Sequence, residues 1–580
     1  MKKGAILFIV LGLVVAIASY VSSMANIDPE HEQLAKLAAN RHRLETIPDT
    51  PAVPTRFVDV AQAAGLDYKW TLPGQSPRNI QQVMGNGCAF LDYNNDGNLD
   101  ILLVGDRVAL YRGDGHGHFT DVSRQMGLDK LHGHFLGCAV ADYDNDGYDD
   151  ILLTGYHTAA LLHNEHGAAF KDVTKTSGID TSTWSTSAAW GDLLGDGRLD
   201  LYVCNYCQFT AMDKQNCIDH GVLTTCPPDT YNPGHGQLYR NDGNGHFTNI
   251  TQQWEQGKGT GYALGAAFAD FDGTGRESLF VADDQVPSDL FQNVGGHFQE
   301  IGRASGAALR EDGKGYAGMG VDWGDYDNDG KLDLAVMDYW DEKKRLLHND
   351  GNGLFSNQYD ALHCGVGGYP RVAFGVKWLD YDNDGWLDLV YCNGFTDDNI
   401  EQINPANSWL EPTLLYHNDH GTSFDNVSKG LVGDALRPIV GRGLAVGDFD
   451  NDGRVDILVV DSNGKPLLLH NETPGVGHWL EINLIGTKSN RDGLGALITV
   501  NAGQLHQLRL CQTDGSYMSA SDKRVHIGLG SATKADNISV RWPSGQVDTY
   551  TNVTADQNLT LREGSTAVVP TPVAHQLTTS

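Results

Sequence analysis

The stretch GCAVADYDNDGYDDILLTG, from Gly137 to Gly155, decides how this chain is read. An apolar run enters an Asp-rich loop and a second apolar run leaves it. Asp142, Asp144, Asp146 and Asp150 stand at loop positions 1, 3, 5 and 9, with Gly147 at position 6. That spacing lets one turn bring several hard oxygens to a calcium ion. Six further copies begin at Asp92, Asp192, Asp270, Asp325, Asp380 and Asp448, at intervals of 50 to 78 residues. A period near 50 residues built of β-type runs marks the blades of a propeller.

Each copy reads as four strands. Strand A ends at the Asp loop, as in GCAFLDY before Asn94, and strand B follows it, as in Asp100–Val104. Strand C is LYRGDGHG from Leu110, strand D is FTDVS from Phe119, and Asn/Asp-Gly turns join C to D. Strands A, B and C occur seven times. After the seventh strand C (Leu467–Asn471) the D pattern fails, and a stray copy, FVDVAQAAGL, sits at Phe57 instead. The chain start is therefore expected to complete the last blade and remove the free sheet edges. The expected fold is all-β: a seven-bladed β-propeller over residues 57–472, then a small β domain over 477–563.

Four loops are complete at positions 1, 3, 5 and 9. They are Asp142, Asp144, Asp146, Asp150; Asp325, Asp327, Asp329, Asp333; Asp380, Asp382, Asp384, Asp388; and Asp448, Asp450, Asp452, Asp456. A fifth, Asp92, Asn94, Asp96, Asp100, has one amide oxygen in place of a carboxylate. Position 7 contributes a backbone carbonyl, from Asn98, Tyr148, Lys331, Trp386 and Arg454 respectively in chain order. Six to eight hard oxygens suit calcium better than the stricter octahedron of magnesium. Calcium at about five sites, each stitching one A–B hairpin, is the expectation. The loop at Asp192 has Leu194 where a ligand belongs, and that at Asp270 has Thr274 and Ser278, so weak or no binding is expected there.

The formal net charge is −33, which argues against nucleic acid as a partner. Five divalent cations would offset ten of those charges. Lys2 and Lys3 precede an apolar run to Val21, and Ser23-Met24-Ala25 follows. This pattern reads as a signal peptide over 1–25, with an uncleaved membrane anchor as the alternative. Either places the rest of the chain outside the cytoplasm: secreted, periplasmic or on the cell surface. Residues 26–56 read as a linker or short helix, and 564–580 as a loose tail.

Of nine cysteines, Cys88, Cys138, Cys204 and Cys392 fall at core positions of the repeat. Cys207, Cys217 and Cys226 share one insertion, 205–236, and a Cys217–Cys226 disulfide is expected in an oxidising compartment. His163, His348, His417 and His470 recur in phase before an Asn of strand C, where other copies have Arg112 and Arg240. A position filled this way in blade after blade reads as structural. No HExxH, GxSxG or phosphate loop occurs.

The two long insertions, 205–236 and 394–412, both join strand B to strand C, on the face opposite the Asp loops. Strand B ends there in a polar set: Asn205, Asp283, Asp338, Asn393 and Asp461. Tyr206, Tyr339, Trp340, Phe395 and Trp409 lie in the same loops. This is where a ligand is expected, since binding evolves on loops held by a rigid scaffold.

With the loops and strands in place, residues 57–472 resemble the FG-GAP/VCBS repeats of integrin α-chain propellers. Residues 478–563, with Gly528-Leu529-Gly530 and Arg541-Trp542-Pro543, resemble the ASPIC/UnbV domain. The combination resembles the cartilage acidic protein family and its bacterial relatives, which implies an exported, acidic, calcium-binding protein. The expected function is a monomeric binding or adhesion module for a protein or glycan, touching a membrane only through its N-terminal segment. The alternative is an extracytoplasmic enzyme, polysaccharide-active or of quinone-cofactor type, working on the same face.

Overall fold

The computed structural model describes residues 53–255, 259–365 and 367–571. The signal or anchor segment and nearly all of the linker lie outside them. Among the described residues no helix is long and apolar enough to cross a membrane.

The chain is built almost wholly of antiparallel four-stranded sheets. The first runs Cys88–Leu91, Asp100–Leu103, Ala109–Gly113, Phe119–Asp121, in that spatial order. Five more follow in the same A-B-C-D order, with strands A at Phe135–Ala141, Ser185–Gly191, Ala263–Ala269, Val321–Gly324 and Ala373–Leu379. A seventh has Gly441–Gly447, Asp456–Asp461 and Leu467–Asn471 as strands A to C. Its fourth strand is Phe57–Asp59, antiparallel to Leu467–Asn471 with Phe57 opposite Asn471. Leu431–Val432 adds a short parallel edge outside it.

Strands A of successive sheets lie against one another, and that of the seventh lies against that of the first. Five residues before the loop Asp, strand A or its entry carries Gly87, Gly137, Gly265, Gly320, Gly375 or Gly443, with Ser187 in the third sheet. The packing requires it: a Cβ on Gly265 would sit 2.1 Å from the Met319 carbonyl oxygen, and one on Gly320 2.1 Å from that of Phe374. Apolar faces of neighbouring sheets bury each other in layers. One layer joins the seventh sheet to the first through Phe449, Leu458 and Leu468 against Phe90, Ile101 and Tyr111.

Two ladders of asparagines chain the sheets together. The Nδ2 of the strand C asparagine donates to the loop carbonyl of the preceding sheet. Asn164 thus bonds Tyr93, Asn241 Tyr143, Asn293 Leu193, Asn349 Phe271, Asn418 Tyr326 and Asn471 Tyr381. Asparagine at loop position 4, in the left-handed region, reaches forward instead. Asn95, Asn145, Asn328 and Asn383 donate to the position 6 glycine of the next loop, and Asn451 to Gly97 of the first. The strand C amides, all buried, are paired this way without water.

The C-terminal domain is two four-stranded sheets face to face. One orders Val525–Gly530, His478–Ile485, Gln557–Arg562, Val568–Pro570, and the other Leu505–Leu510, Leu497–Ala502, Lys534–Arg541, Val547–Thr554. The expected loose tail is thus shorter than 564–580. Val568 and Val569 pair with Leu561 and Thr560, because an apolar β-branched pair can extend an open sheet edge.

The connection from Leu510 to Val525 leaves this sandwich and runs between the seven strands A. Ser516 exchanges backbone hydrogen bonds with Val321, and Ala520 bonds Cys88 and Phe90. The Cys138 amide donates to Met518 O, and the Met518 amide to Ser187 Oγ. Asp522 N bonds Val446 O, Phe268 N bonds Asp514 Oδ2, and Lys377 Nζ bonds Asp514 O. Every one of the seven sheets is touched. At the far end the Tyr517 hydroxyl donates to Met84 O at 3.0 Å.

Candidate functional site

Each Asp loop is a turn held by its own first residue. Asp142 Oδ1 accepts from Asp146 N at 2.9 Å and Oδ2 from Gly147 N. The same pair of bonds recurs at Asp92, Asp325, Asp380 and Asp448, and at Asp192. At position 5, Asp96, Asp146, Asp329, Asp384 and Asp452 accept from the amides of Asn98, Tyr148, Lys331, Trp386 and Arg454. The side chains of Lys331 and Arg454 turn back on Asp329 and Asp452.

Position 9 opens strand B and is fully buried. Its Oδ1 accepts from strand C: Asp100 from Gly113, Asp150 from Asn164, Asp333 from Asn349, Asp388 from Asn418 and Asp456 from Asn471. Asp142, Asp144 and Asp150 bring carboxylate oxygens within 4.8 Å of one another. The first loop differs at position 3, where the Asn94 amide donates to Asp96 Oδ2 at 2.9 Å.

Such crowding is unfavourable for carboxylates alone. Burial, then the neighbouring acids, push Asp333 up to about 9 and Asp142 up to about 8. Asp380 and Asp448 are held well above the ordinary range by the same causes. Asp150 Oδ2, Asp382 Oδ1 and Asp450 Oδ1 are buried and make no hydrogen bond. A divalent cation reverses this balance, since it favours the charged form and supplies the missing partner. The residues present fit a hard divalent cation.

The two incomplete loops are filled differently. In the third, Leu194 is 43% exposed, and Asp192 N bonds Glu277 Oε2. In the fourth, the Arg541 guanidinium of the C-terminal domain pairs with Asp270. That domain also bears on the complete loops. Asp492 accepts from Asp142 N, Arg509 donates to Gly385 O, and Arg524 donates to Asp448 O and to Asn451. His526 Nε2 lies 2.7 Å from Asn383 Oδ1. The Asp loops are therefore sandwiched between the repeat sheets and the C-terminal domain.

The opposite face is closed by the insertions. Thr224 Oγ1 donates to Asp397 Oδ1 at 2.6 Å, and Asn399 Nδ2 to Leu223 O at 2.8 Å, so the insertions 205–236 and 394–412 interlock. Asn216 and Thr225 bond the carbonyl of Arg78, which adds segment 70–84 to the cap. Cys217 and Cys226 are joined in a disulfide across the base of a hairpin. Cys88, Cys138, Cys204, Cys207, Cys364, Cys392 and Cys511 are buried free thiols.

Beneath this cap, Asn205, Asp283, Asp338, Asn393 and Asp461 are each at most 5% exposed. Asp338 pairs with buried Arg345 at 2.8 Å, and Asp461 with Arg437 at 2.7 Å. Asn205 and Asn393 donate to His235 O and Pro412 O. Burial, then Asp289, hold the Asp283 carboxyl well above its ordinary value. Tyr206 and Phe395 are buried with them, and Tyr339, Trp340 and Trp409 partly so. None of the polar five is presented to solvent. Among the residues the cap presents are the apolar Met212 at 94% exposure, Ile218 at 73%, Leu223 and Leu410, beside the exposed polar Asp213, Lys214, Asp219 and His220. Ile218 stands opposite Leu223 across the disulfide-closed hairpin.

Residues 92–153, 142–203, 222–281 and 270–336 match the FG-GAP-like repeat, and residues 486–568 match the ASPIC and UnbV family. The chain carries FG-GAP repeats followed by a C-terminal ASPIC/UnbV domain. It is similar to cartilage acidic protein 1 of Xenopus tropicalis, 26% identical over 416 residues, covering 69% of this chain and 59% of that one. It is also similar to the human protein of that name, 24% identical over 417 residues, covering 69% and 58%. The match spans less than three-fifths of the length of these relatives. Among solved structures, an Agrocybe aegerita lectin described as recognising non-reducing terminal N-acetylglucosamine is 17% identical, with TM-score 0.37 over 59% of this chain and 79% of that one. A Bacillus licheniformis rhamnogalacturonan lyase is 12% identical, with TM-score 0.32 over 70% and 76%.

Proposed function

We propose that this is an exported, calcium-loaded, closed seven-bladed β-propeller that serves as a binding module for a protein partner, recognised through the cap of insertions 205–236 and 394–412. The closed ring is supported by Phe57–Asp59 as the fourth strand of the seventh sheet and by the Asn451–Gly97 hydrogen bond. Calcium is supported by the oxygen donors at Asp92, Asp142, Asp325, Asp380 and Asp448. Export is supported by the Cys217–Cys226 disulfide, a bond that persists in oxidising compartments.

The observation that carries the binding reading is the cap itself. A rigid, disulfide-closed hairpin displays Ile218 and Leu223 side by side, with Met212 on the same insertion. Exposed apolar side chains held on ordered backbone suit a protein surface better than a glycan, which would need polar and planar groups. The ions, wedged between sheets and C-terminal domain, hold the scaffold rigid.

A photocrosslinking residue at Ile218 in the full chain, expressed in its own cells, tests this. The expected result is a discrete protein adduct that Leu223→Glu abolishes while the melting temperature is unchanged. Adducts no more abundant than from the same residue at exposed Val547 contradict the cap as the recognition surface. Turnover in a hydrolase and dehydrogenase screen contradicts the binding-module reading.

A further inference from the structure

The fourth sheet, whose Asp loop is answered by Arg541, has buried acids at its opposite end. Its strand B, Ser278–Asp283, ends in Asp283, and its strand C, Asp289–Asn293, begins with Asp289. Register fixes how the two positions meet. Val281 stands opposite Asp289, as Val336 stands opposite Arg345 in the fifth sheet. There the acid at the end of strand B, Asp338, pairs with Arg345 at 2.8 Å. In the seventh sheet Asp461 pairs with Arg437 at 2.7 Å. The fourth sheet thus sets a second acid where the fifth has the answering arginine.

A third acid joins them from the connection that enters this sheet. Glu255 stands eight residues after Phe247 of the third sheet's strand D, where four other sheets have Gly65, Gly127, Gly178 and Gly306. A Cβ on Gly259 would lie 2.9 Å from Glu255 Oε2 and 3.9 Å from Asp289 Oδ2, so both carboxylates face that glycine. Thr260 fixes Asp289, its amide donating to Oδ2 and its hydroxyl to Oδ1, each at 2.7 Å. Asp283, Glu255 and Asp289 are 1%, 3% and 4% exposed. Glu255 Oε1 and both oxygens of Asp283 make no hydrogen bond; the Asp289 amide lies near Asp283 but falls short of one. Arg345 is committed to Asp338, Ser288 Oγ and Ala307 O. Arg303 bears on Asp289 but is exposed and forms no ion pair with it. Among the described residues none of the three acids has an ion-pair partner, unlike Asp338 and Asp461. Burial, then Asp289, push Glu255 up to about 8, and burial pushes Asp289 up to about 7. Buried acids left without a positive charge are costly.

We infer that Glu255, Asp283 and Asp289 hold a calcium ion at the end of the fourth sheet opposite the Asp loops, with Thr260 orienting Asp289. Every donor is a hard oxygen, and calcium exchanges its water for carboxylates more readily than magnesium does. The ion does for the fourth sheet what Arg345 does for the fifth: it neutralises the acid that ends strand B and ties it to the start of strand C. The site shares no residue with the Asp loops and does not depend on their binding calcium.

The test counts calcium bound to the full chain by equilibrium dialysis with radioactive CaCl₂ after chelation. Wild type is compared with the double variant Glu255→Gln, Asp283→Asn. It is also compared with Glu255→Gly, which restores the glycine of four other sheets and so keeps the question open to measurement where the double variant does not fold. Each variant should bind one ion fewer than wild type, and calcium should raise its melting temperature less. Asp448→Asn, a loop control, should lose a different ion, so that combining it with Glu255→Gly loses two. Equal calcium counts in wild type and Glu255→Gly overturn the inference, as does a double variant that melts with the same calcium-dependent rise as wild type. A count that falls in Asp448→Asn but not in Glu255→Gly sinks this site alone. A wild type that binds no calcium sinks it together with the loops.

Discussion

Arg541 of the C-terminal domain forms an ion pair with Asp270, the first residue of the one Asp loop that has lost both its fifth and ninth acids. A guanidinium stands where the other loops have the donors for a cation. The pair ties the sandwich to the fourth sheet and neutralises a carboxylate that is 4% exposed.

Replacing Arg541 by Ala leaves that carboxylate buried and alone. Because the arginine is itself one-third exposed, the loss should be about 1–3 kcal/mol, below the figure for fully buried pairs. Urea denaturation should show this loss, and Asp270→Asn in the Arg541→Ala background should recover most of it. Equal stability of wild type and Arg541→Ala would contradict the pairing.

The central segment makes a sterically sharper prediction. A Cβ on Gly87 would lie 1.7 Å from the Met518 carbonyl oxygen, a distance no side chain tolerates. Gly87→Ala should therefore displace residues 512–522 from between the strands A. The expected readout is new proteolytic cleavage within that segment and a stability loss of about 1–3 kcal/mol. Resistance to cleavage equal to wild type would show that the segment is not seated between the strands.

Much of this architecture could be read from the residues alone. The loop spacing, the stray strand at Phe57 and the in-phase Gly and Asn all follow from repetition, because each position meets the same neighbours seven times. The segment QTDGSYMSASD could not be read. It is polar, without period, and its partners are mostly backbone groups spread from Cys88 to Val446, which leave little side-chain signature. The burial of Asp338 and Asp461 was equally hidden, since a strand-end acid looks the same whether a loop folds over it or not. Arg541 was visible as part of an Arg-Trp-Pro motif, but only the docking of two domains shows that it answers Asp270.

Glu563 gives a pH prediction. Its carboxylate accepts from the amides of Thr487, Lys488 and Ser489 and from the hydroxyls of Ser489 and Ser544. Burial alone would raise its pKa, but these hydrogen bonds outweigh it and bring it down to about 2. A depressed carboxylate stabilises the fold above its unfolded value near 4.5, and that stability is lost as pH falls towards 2. Glu563→Gln should cost about 1–3 kcal/mol at neutral pH, with the difference from wild type shrinking between pH 4.5 and 2. A difference that is constant across that window would contradict the assignment.

The asparagine ladder predicts coupling between neighbouring sheets. Asn418 is fully buried and donates to both Tyr326 O and Leu387 O. Asn418→Ala leaves two buried carbonyls short of a donor and should cost about 2 kcal/mol or more. An exposed substitution such as Asn463→Ala should be near neutral in the same urea titration.

The central claim is that the Asp loops are cation staples for the whole scaffold. The most direct measurement is calcium calorimetry on the chelator-treated full chain, paired with its thermal melt. The account predicts uptake at about five sites, matching the five donor-competent loops, and a melting temperature that rises with calcium concentration because the ion binds only the folded loops. No heat of binding, together with one melting temperature in chelator and in excess calcium, would contradict it.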